Sequence, residues 1–454
     1  MNLEKIKKAY VIGIKGSGVI AAVEFLHSMG VEVLGSDTNE KFFTDEILQK
    51  LNIPYFEKFE VKNIPSDVDL VVYSTAYNEN NNCEFQEAKK RNLEMISYPE
   101  ILGELFNEKY GIAVTGTHGK TTTSAMLAHI LKEVGTDPSA IIGSKVIDWG
   151  GNALIGKGEF FVIEADEFQN KLRFYNPKAV VLTSVDFDHP DFFPTFVDYK
   201  KTFKDFVARI PRAGFLVVWG DSVDTLEVSK EATCPVLTYG FGEECEYRII
   251  SKEIQKFEVE HNGKILGEFA TKLIGKHNVL NAVAVIAVCH KLNLDLERAK
   301  EALKNFQGTK RRFEYIGERN GAILIDDYGH HPEELKVTLK GAREIYPEKN
   351  IWAVFHPHSY SRTEALLQEF SQSFGDADHV IVLDIYGSAR ENNGKVNSGD
   401  LVKLINKFDR DKAEYLKTID DAVEFLQDRI GADDVVITIG AGNGWEVAEK
   451  LKEK

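Results

Sequence analysis

Gly111-Ile-Ala-Val-Thr-Gly-Thr-His-Gly-Lys-Thr-Thr-Thr123 is an apolar run that breaks into a glycine-containing loop before an Ala-, Leu- and Met-rich segment. This order predicts a strand, a phosphate-binding loop and a helix. Gly116 and Gly119 permit backbone angles that other residues avoid, so consecutive N–H groups can face one anion at the positive end of the helix. Lys120 would then reach the terminal phosphates of a nucleotide, and Thr121 would offer its hydroxyl to Mg2+.

The loop is a shortened variant of the usual phosphate-loop pattern, which has its first glycine at the position of Val114. An ordinary strand-to-helix turn is therefore the alternative. The apolar strand before the loop, the three consecutive threonines and the carboxylates that follow later strands favour nucleotide binding.

Length and charge limit the classes of protein to consider. A chain of 454 residues is long enough for about three domains of roughly 150 residues each. With 71 acidic and 55 basic residues, the net charge of −16 argues against non-specific binding of nucleic acid or of an anionic membrane surface. The four cysteines have no metal-binding spacing, and the first apolar run is too short for a signal peptide or a membrane span. We expect a soluble cytoplasmic protein.

The first predicted domain, residues 1–108, opens with a β-α-β unit. An apolar run at 9–14 leads into Gly13-Ile-Lys-Gly16-Ser17-Gly18, a helix and a second strand that ends before Asp37. The glycine loop is not the G-x-G-x-x-G dinucleotide fingerprint, although Asp37 lies near the ~20-residue offset expected for a ribose partner. We predict a phosphate-bearing ligand here, with a simple tight turn as the alternative.

The second predicted domain, residues 109–315, has nearly continuous apolar runs at 160–164 and 179–184, which are typical of buried parallel strands. Apolar residues alternate between 235 and 274, where Asn262-Gly263 is a hairpin signal, so we expect a small antiparallel sheet there. The third predicted domain, residues 316–454, alternates helical patterns with strands at 322–325, 351–355, 379–383 and 435–439.

Polar residues follow the strands of the second predicted domain. Glu164-Ala-Asp-Glu167 comes after one strand, and Asp186-Phe-Asp-His-Pro-Asp191 comes after the next. Ligands of an open parallel sheet gather at the carboxyl ends of its strands, and Mg2+ prefers oxygen ligands. We therefore predict that Thr121 and Glu167 bind Mg2+ together with phosphate oxygens, and that His189 helps to hold a second ion. A solvated turn or a helix cap is the alternative for the Asp-His pair.

Basic residues that could meet an anionic substrate come late in the chain, at Arg311, Arg312 and Arg362. Arginine suits bidentate contacts to carboxylate or phosphate, and a solvated surface patch is the alternative. Asp326-Asp-Tyr-Gly-His-His-Pro332 follows another predicted strand. Its spacing fits no standard zinc motif, so we interpret it as a segment that orients a ligand.

The order of these motifs along the whole chain resembles the Mur ligases, which form amide bonds in peptidoglycan precursors at the expense of ATP. The motifs that carry the resemblance are Gly116-Thr-His-Gly-Lys-Thr-Thr-Thr123, Glu164-Ala-Asp-Glu167, Asp188-His189, His277-Asn-Val-Leu-Asn281-Ala, Phe306-Gln-Gly-Thr-Lys-Arg-Arg-Phe313 and Asp326-Asp-Tyr-Gly-His-His-Pro332.

The resemblance implies a three-domain α/β fold, with a Rossmann-like amino-terminal domain, a central P-loop domain and a Rossmann-like carboxyl-terminal domain. It also implies ATP and Mg2+ as cofactors. By similarity, the ATP-binding residues are Gly116, Thr117, His118, Gly119, Lys120, Thr121, Thr122, His277, Asn278, Asn281, Arg312 and Asp327, and the Mg2+ ligands are Thr121, Glu167 and His189.

The same resemblance implies that the amino-terminal domain binds a UDP-sugar and the carboxyl-terminal domain an amino acid. UDP would contact Gly16, Ser17, Gly18 and Asp37, and the amino acid would face His330, His331, His358 and Arg362. The catalytic roles fall to Lys120, Glu167, His189, Arg312, His331 and Arg362. Several relatives use a carbamylated lysine beyond the Asp-His pair, where this chain has Lys200, Lys201 and Lys204.

The implied reaction joins L-alanine to UDP-N-acetylmuramate through an acyl phosphate, in a monomer or weak homodimer. An alternative within the family is a recycling ligase that attaches the L-Ala-γ-D-Glu-meso-diaminopimelate tripeptide to the same sugar nucleotide. Two alternatives from other classes are a nicotinamide-dependent oxidoreductase built on the loop at 13–18 and an ATP-controlled binding protein without turnover.

Overall fold

The computed structural model describes residues 3–42, 44–189, 192–251, 255–387 and 394–453. The chain forms two compact units. The first unit contains residues 1–186, 200–272 and 279–308, and the second contains 187–199, 273–278 and 309–454. Within the described ranges, no helix is both long and apolar enough to cross a membrane.

The first sheet has five parallel strands in the order β3-β2-β1-β4-β5. Its strands are β1 (Lys8–Ile12), β2 (Glu32–Ser36), β3 (Tyr55–Phe56), β4 (Leu70–Tyr73) and β5 (Met95–Ser97), and its helices are α1 (Ser17–Ser28), α2 (Thr44–Lys50), α3 (Cys83–Lys90) and α4 (Tyr98–Asn107). The predicted β-α-β unit is confirmed. Strand β1 ends at Ile12, because Gly13 turns the chain with a φ of 79°.

The second sheet has ten strands in the order β15-β14-β13-β12-β11-β10-β6-β9-β7-β8. Its strands are β6 (Tyr110–Thr115), β7 (Ser139–Val146), β8 (Gly151–Leu154), β9 (Phe160–Glu164), β10 (Ala179–Leu182), β11 (Phe215–Trp219), β12 (Val236–Gly240), β13 (Tyr247–Ser251), β14 (Lys256–His261) and β15 (Lys264–Ala270). The helices are α5 (Lys120–Glu133), α6 (Phe196–Val207), α7 (Val223–Ser229), α8 (Lys276–Lys291) and α9 (Leu296–Asn305). Strands β6, β9 and β10 are almost completely buried, as their continuous apolar sequences predict.

The antiparallel pairing expected between residues 235 and 274 is confirmed, but these strands do not form a small sheet of their own. Strands β13, β14 and β15 are antiparallel, and Asn262 and Gly263 form the expected tight turn with φ values of 50° and 79°. However, β12 pairs in parallel with both β11 and β13, so the antiparallel strands extend the central sheet. The alternating sequence shows that one face of these strands is buried, and it carries no information about which sheet they join.

The third sheet has six strands in the order β16-β17-β21-β18-β19-β20, and only β16 is antiparallel to its neighbour. Its strands are β16 (Glu314–Arg319), β17 (Ala322–Asp327), β18 (Asn350–Phe355), β19 (His379–Val382), β20 (Ala413–Tyr415) and β21 (Asp434–Ile439). Its helices are α10 (Pro332–Ile345), α11 (Tyr360–Ala365), α12 (Leu367–Ser371), α13 (Ser398–Phe408), α14 (Ile419–Gln427) and α15 (Glu446–Glu453). The four strands predicted for this domain are confirmed as β17, β18, β19 and β21.

Candidate active site

The loop between β6 and α5 has the glycine conformations expected of a phosphate-binding loop. Gly116 has a φ of 131° and Gly119 a φ of 81°, both in the region that favours glycine. A Cβ atom at Gly116 would lie 2.4 Å from Thr183 Oγ1, and one at Gly119 would lie 2.7 Å from Asn281 Oδ1. Both glycines are therefore required by conformation and by space. The loop leads directly into the amino terminus of the 14-residue helix α5.

Residues at the carboxyl end of β10 hold the loop in place. Thr117 Oγ1 donates to the carbonyl oxygen of Asp186 at 2.8 Å, and Ser184 Oγ accepts from the His118 N–H at 2.8 Å. Thr183 Oγ1 donates to the His118 carbonyl oxygen at 2.5 Å. These contacts fix the loop shape before any ligand binds, which reduces the ordering cost of binding.

Lys120 lies folded along its own loop. Its Nζ atom donates to the carbonyl oxygens of Gly116 and Thr117 and lies 3.0 Å from Glu167 Oε2. Burial alone would lower the pKa of Lys120, but the negative charge of Glu167 outweighs it, and the pKa is raised. The lysine is thus held as a cation with its side chain 14% exposed.

Oxygen ligands suited to Mg2+ lie beside this lysine. Thr121 Oγ1 donates to Glu164 Oε1 at 2.7 Å, and Glu164 Oε2 accepts from the Gly143 N–H at 2.6 Å. Together with Glu167, the site offers a hydroxyl and two carboxylates, the donor set that a hard cation prefers. These residues fit a magnesium ion. The predicted ligand His189 belongs to the second unit, and its role as a ligand stays a prediction.

The second unit brings together several residues expected to contact ATP. Asp327 accepts from the N–H groups of Phe313 and Gly329 at 2.9 and 2.8 Å, and burial raises its pKa although the charge of Arg312 opposes this. His277 is exposed at the start of α8 and interacts electrostatically with Arg312. Arg312 itself lies over the Tyr328 ring, 5.5 Å from its centre. Arg312 therefore interacts with both the Asp327 carboxylate and the His277 imidazole.

The predicted pair Asp188-His189 has a different environment from the solvated turn considered as its alternative. Asp188 Oδ1 accepts from Nε and Nη2 of Arg362 at 3.1 and 3.0 Å, and both side chains are 8% exposed. Burial would raise the pKa of Asp188, but the positive charge of Arg362 outweighs it and lowers the pKa well below its usual range. Arg362, expected to face the amino acid, is thus held from one side by Asp188.

The histidines of the second unit differ in their contacts. Burial lowers the pKa of His330 to about 3, so its imidazole is neutral, and its ring centre lies 6.5 Å from that of His358. His358 stacks on Tyr386 with ring centres 5.6 Å apart. His331 caps helix α10, because its side chain accepts from the Glu333 N–H and the Glu334 side chain reaches back to the His331 N–H. If His331 contacts the amino acid as predicted, it must do so while its side chain caps α10.

The loop of the first sheet differs from the phosphate loop. The Asp37 carboxylate, predicted to contact ribose, accepts from the backbone N–H groups of Lys15 and Thr38 at 2.7 and 2.8 Å, and burial raises its pKa. Lys15 Nζ points to the carbonyl oxygens of Thr38 and Glu40 and lies 3.2 Å from Asp45. The side chain of Lys15 is therefore fully buried, and it does not lie along the glycines that follow it in the loop.

Sequence reasoning missed partners that lie far away along the chain. No local sequence signal identifies Glu164 as the partner of Thr121, or Asp188 as the partner of Arg362. Their positions after strands are the only indication that the sequence gives. Lys200 and Lys204 both pair with Glu227, and Lys201 pairs with Asp205, so each of these candidates for carbamylation lies in an ion pair. Asp191 of the predicted acidic segment lies outside the described residues.

Comparison with known families agrees with this architecture. The family models described as "Mur ligase family, catalytic domain", "Mur ligase middle domain" and "Mur ligase, glutamate ligase domain" match residues 8–110, 114–289 and 311–442. The chain belongs to the Mur ligase family. The predicted three-domain α/β fold is confirmed, and the alternative of a nicotinamide-dependent oxidoreductase loses its support, because the first domain also matches this family.

Individual relatives cover the whole chain. The UDP-N-acetylmuramate–L-alanine ligase of Desulfitobacterium hafniense is 40% identical over 97% of this chain and 98% of its own length, and that of Caldanaerobacter subterraneus is 38% identical over 100% and 99%. The crystal structure of UDP-N-acetylmuramate–alanine ligase from Thermotoga maritima has a TM-score of 0.83 at 26% identity and covers 98% of both chains. A murein peptide ligase from Psychrobacter arcticus has the same fold, with a TM-score of 0.75 at 23% identity and 98% coverage of both chains.

Proposed function

We propose that this chain is an ATP-dependent ligase that joins L-alanine to the carboxylate of UDP-N-acetylmuramate. The observation that carries the proposal is its similarity along the full length to the Desulfitobacterium hafniense ligase, at 40% identity over 97% of this chain. We expect the enzyme to act in the cytoplasm as a monomer or weak homodimer.

The phosphate loop supports ATP as the phosphoryl donor. Its two left-handed glycines lead the chain into the amino terminus of α5, and Lys120 is held as a cation on the same loop. In the proposed complex, Lys120 exchanges its contacts with loop carbonyl oxygens for contacts with the β- and γ-phosphates. Because Glu167 keeps the lysine charged, this exchange requires no proton transfer.

The reaction that these residues would promote has two steps. A carboxylate oxygen of UDP-N-acetylmuramate attacks the γ-phosphorus, the bond from that phosphorus to the β-phosphate oxygen breaks, and ADP leaves. The amino nitrogen of L-alanine then attacks the acyl carbon, the bond from that carbon to the phosphate oxygen breaks, and phosphate leaves while the nitrogen loses a proton. Lys120 and Arg312 would offset the charge on the transferred phosphoryl group.

Thr121, Glu164 and Glu167 would hold Mg2+, with His189 as a further proposed ligand. When bound, Mg2+ supplies positive charge that neutralises phosphate oxygens. The fit rests on a hydroxyl and two carboxylates that lie at the carboxyl ends of neighbouring strands β6 and β9.

The second unit supports an amino acid without a charged side chain as the acceptor. Asp188 occupies one edge of the Arg362 guanidinium group. The other edge can bind the carboxylate of the amino acid. His330 is neutral, and burial lowers the pKa of His356 to about 4, so these imidazoles add no charge near neutral pH. The amino acid, a zwitterion, would therefore contact one arginine, Arg362, whose positive charge is balanced by Asp188.

Release of ADP with a panel of acceptors tests the proposal. The enzyme is given ATP, Mg2+ and UDP-N-acetylmuramate, with L-alanine, glycine, L-serine or the L-Ala-γ-D-Glu-meso-diaminopimelate tripeptide. We expect the highest kcat/KM with L-alanine and no turnover when the sugar nucleotide is omitted. Turnover with the tripeptide alone would replace the proposal by the recycling activity, and substrate-independent ADP release would contradict both.

A further inference from the structure

We propose that Lys171, a residue of the central domain, supplies the positive charge that binds the diphosphate of the sugar nucleotide on the loop at residues 13–18. The inference rests on the proposed function, since it assumes that UDP-N-acetylmuramate occupies this loop. Lys171 would be a binding residue that lies outside both the loop at residues 13–18 and the phosphate loop of the central domain.

The loop at 13–18 has no cation of its own for a diphosphate. Lys15 is its only basic residue by sequence. The Lys15 side chain is fully buried, and its Nζ atom is satisfied by two carbonyl oxygens and by Asp45. Backbone N–H groups and the dipole of α1 attract phosphate, but the tighter phosphate sites add a charge-assisted hydrogen bond. A cation from another part of the first unit would complete such a site.

Lys171 is placed beside this loop by Tyr98. A Cβ atom at Gly18 would lie only 2.5 Å from Cε2 of Tyr98, so the Tyr98 ring covers Gly18 at the start of α1. The Nζ atom of Lys171 lies 5.9 Å from the centre of the same ring. The ring thus contacts Gly18 of the loop with one part of its surface and has the lysine near another part.

Lys171 remains charged although its side chain is only 13% exposed. Its Nζ atom donates to Asp166 Oδ2 at 2.5 Å. Burial would lower the pKa of Lys171, but Asp166 and Tyr98 outweigh it and raise the pKa above the ordinary value. Asp166 is 38% exposed at its side chain, so water or a ligand can share the ammonium group without leaving a buried carboxylate unpaired.

The backbone before Lys171 is strained. Gln169 and Asn170 have φ values of 56° and 52°, two consecutive left-handed residues without a glycine. Such conformations persist where the surrounding structure requires them, often at functional sites. The strained pair directs the chain from Glu167, at the phosphate loop, to Lys171, at the other loop.

A buried acceptor without a partner lies at the same place. Asn152 is fully buried, and its Nδ2 atom donates to the carbonyl oxygens of Ser17 and Ile142 at 2.8 and 3.3 Å. Because both partners are acceptors, the amide orientation is fixed, and Oδ1 has no hydrogen-bond partner in the described part of the chain. Strand β8 thus contacts the start of α1 through the Asn152 side chain.

Binding of uridine and of UDP, measured by calorimetry on the intact protein, tests the inference. Wild-type protein is expected to bind UDP more tightly than uridine, and Lys171→Met should reduce this preference by roughly tenfold to a hundredfold, the worth of a charge-assisted hydrogen bond. Lys171→Arg should keep most of the preference. Lys157→Met, which changes an exposed lysine of the same domain, is the matched control and should behave as wild type.

The double variant Asp166→Asn/Lys171→Met removes both charges together. It distinguishes a structural role of the ion pair from a role of Lys171 in ligand binding. The inference predicts that the double variant folds and still lacks the preference for UDP over uridine. A preserved preference in a folded Lys171 variant would overturn the inference and leave the proposed function standing. Failure of the wild-type protein to bind UDP or UDP-N-acetylmuramate would overturn the proposed function and this inference with it.

Discussion

The loop at residues 13–18 and the loop at residues 116–121 both connect a buried parallel strand to a helix, and each contains one lysine. In the second loop, Lys120 lies along the glycines and pairs with Glu167. In the first loop, Lys15 turns away from the glycines and is enclosed by carbonyl oxygens and Asp45. Similar local sequence thus produces a cation available to phosphate in one loop and a structural cation in the other.

The difference comes from the neighbouring strands. Strand β9 ends in Glu164, and Glu167 follows three residues later, so carboxylates stand beside the phosphate loop. At the first loop, the nearby carboxylates Asp37 and Asp45 lie under the loop and bind its backbone N–H and its lysine. We therefore propose that the second loop binds triphosphate because the adjacent strand places carboxylates beside its lysine.

Lys120→Ala should have the largest effect on activity. Loss of a cation that offsets phosphate charge is expected to reduce kcat for ADP release by roughly 10³-fold in the folded protein. The free energy of unfolding should fall as well, because the buried Glu167 carboxylate loses its partner. Steady-state kinetics, together with thermal unfolding, measures both. Lys157→Ala is the control for removal of a lysine in the same domain. Activity within a factor of two of wild type would rule out the assigned ATP site.

Lys15→Met should lower stability without lowering kcat, which distinguishes it from Lys120→Ala. The variant leaves Asp45 buried without its partner, so the free energy of unfolding should fall by roughly 3–5 kcal/mol, while the folded fraction keeps its kcat. Denaturant unfolding gives the stability, and Lys15→Met/Asp45→Asn should recover part of the loss. If Lys15→Met instead lowered kcat at unchanged stability, the contrast between the two lysines would be wrong.

The sequence predicted the strands well because buried parallel strands have continuous apolar sequences, as at Phe160–Glu164, where predicted and observed bounds agree. It also located Lys120, because phosphate loops have fixed local spacing. The contacts between Asp188 and Arg362, separated by 174 residues, depend on tertiary packing that no local pattern records. The same limit applies to β13–β15, whose alternation could not show that they extend the central sheet.

Histidines of the second unit should make the stability of the protein depend on pH. Burial lowers the pKa of His356 to about 4, and that of His330 to about 3. In the unfolded chain these imidazoles bind protons near pH 6.5, so the unfolded state takes up more protons and stability falls as the pH drops from about 7 toward 4. Urea unfolding at several pH values measures the slope.

His356→Gln should make this slope shallower, because one neutral buried imidazole is removed. His27→Gln, which replaces a histidine on the exposed end of α1, is the control and should leave the slope unchanged. Equal slopes in wild type and His356→Gln would show that His356 titrates normally in the folded protein.

Transfer of oxygen from the substrate carboxylate to phosphate tests the central claim most directly. UDP-N-acetylmuramate labelled with oxygen-18 in its lactyl carboxylate is converted with ATP, Mg2+ and L-alanine, and the released phosphate is analysed by mass spectrometry. If the carboxylate attacks the γ-phosphorus, each phosphate released carries one oxygen-18 atom. Unlabelled phosphate, formed at the same rate as the amide product, would contradict an acyl phosphate made at the Lys120 loop.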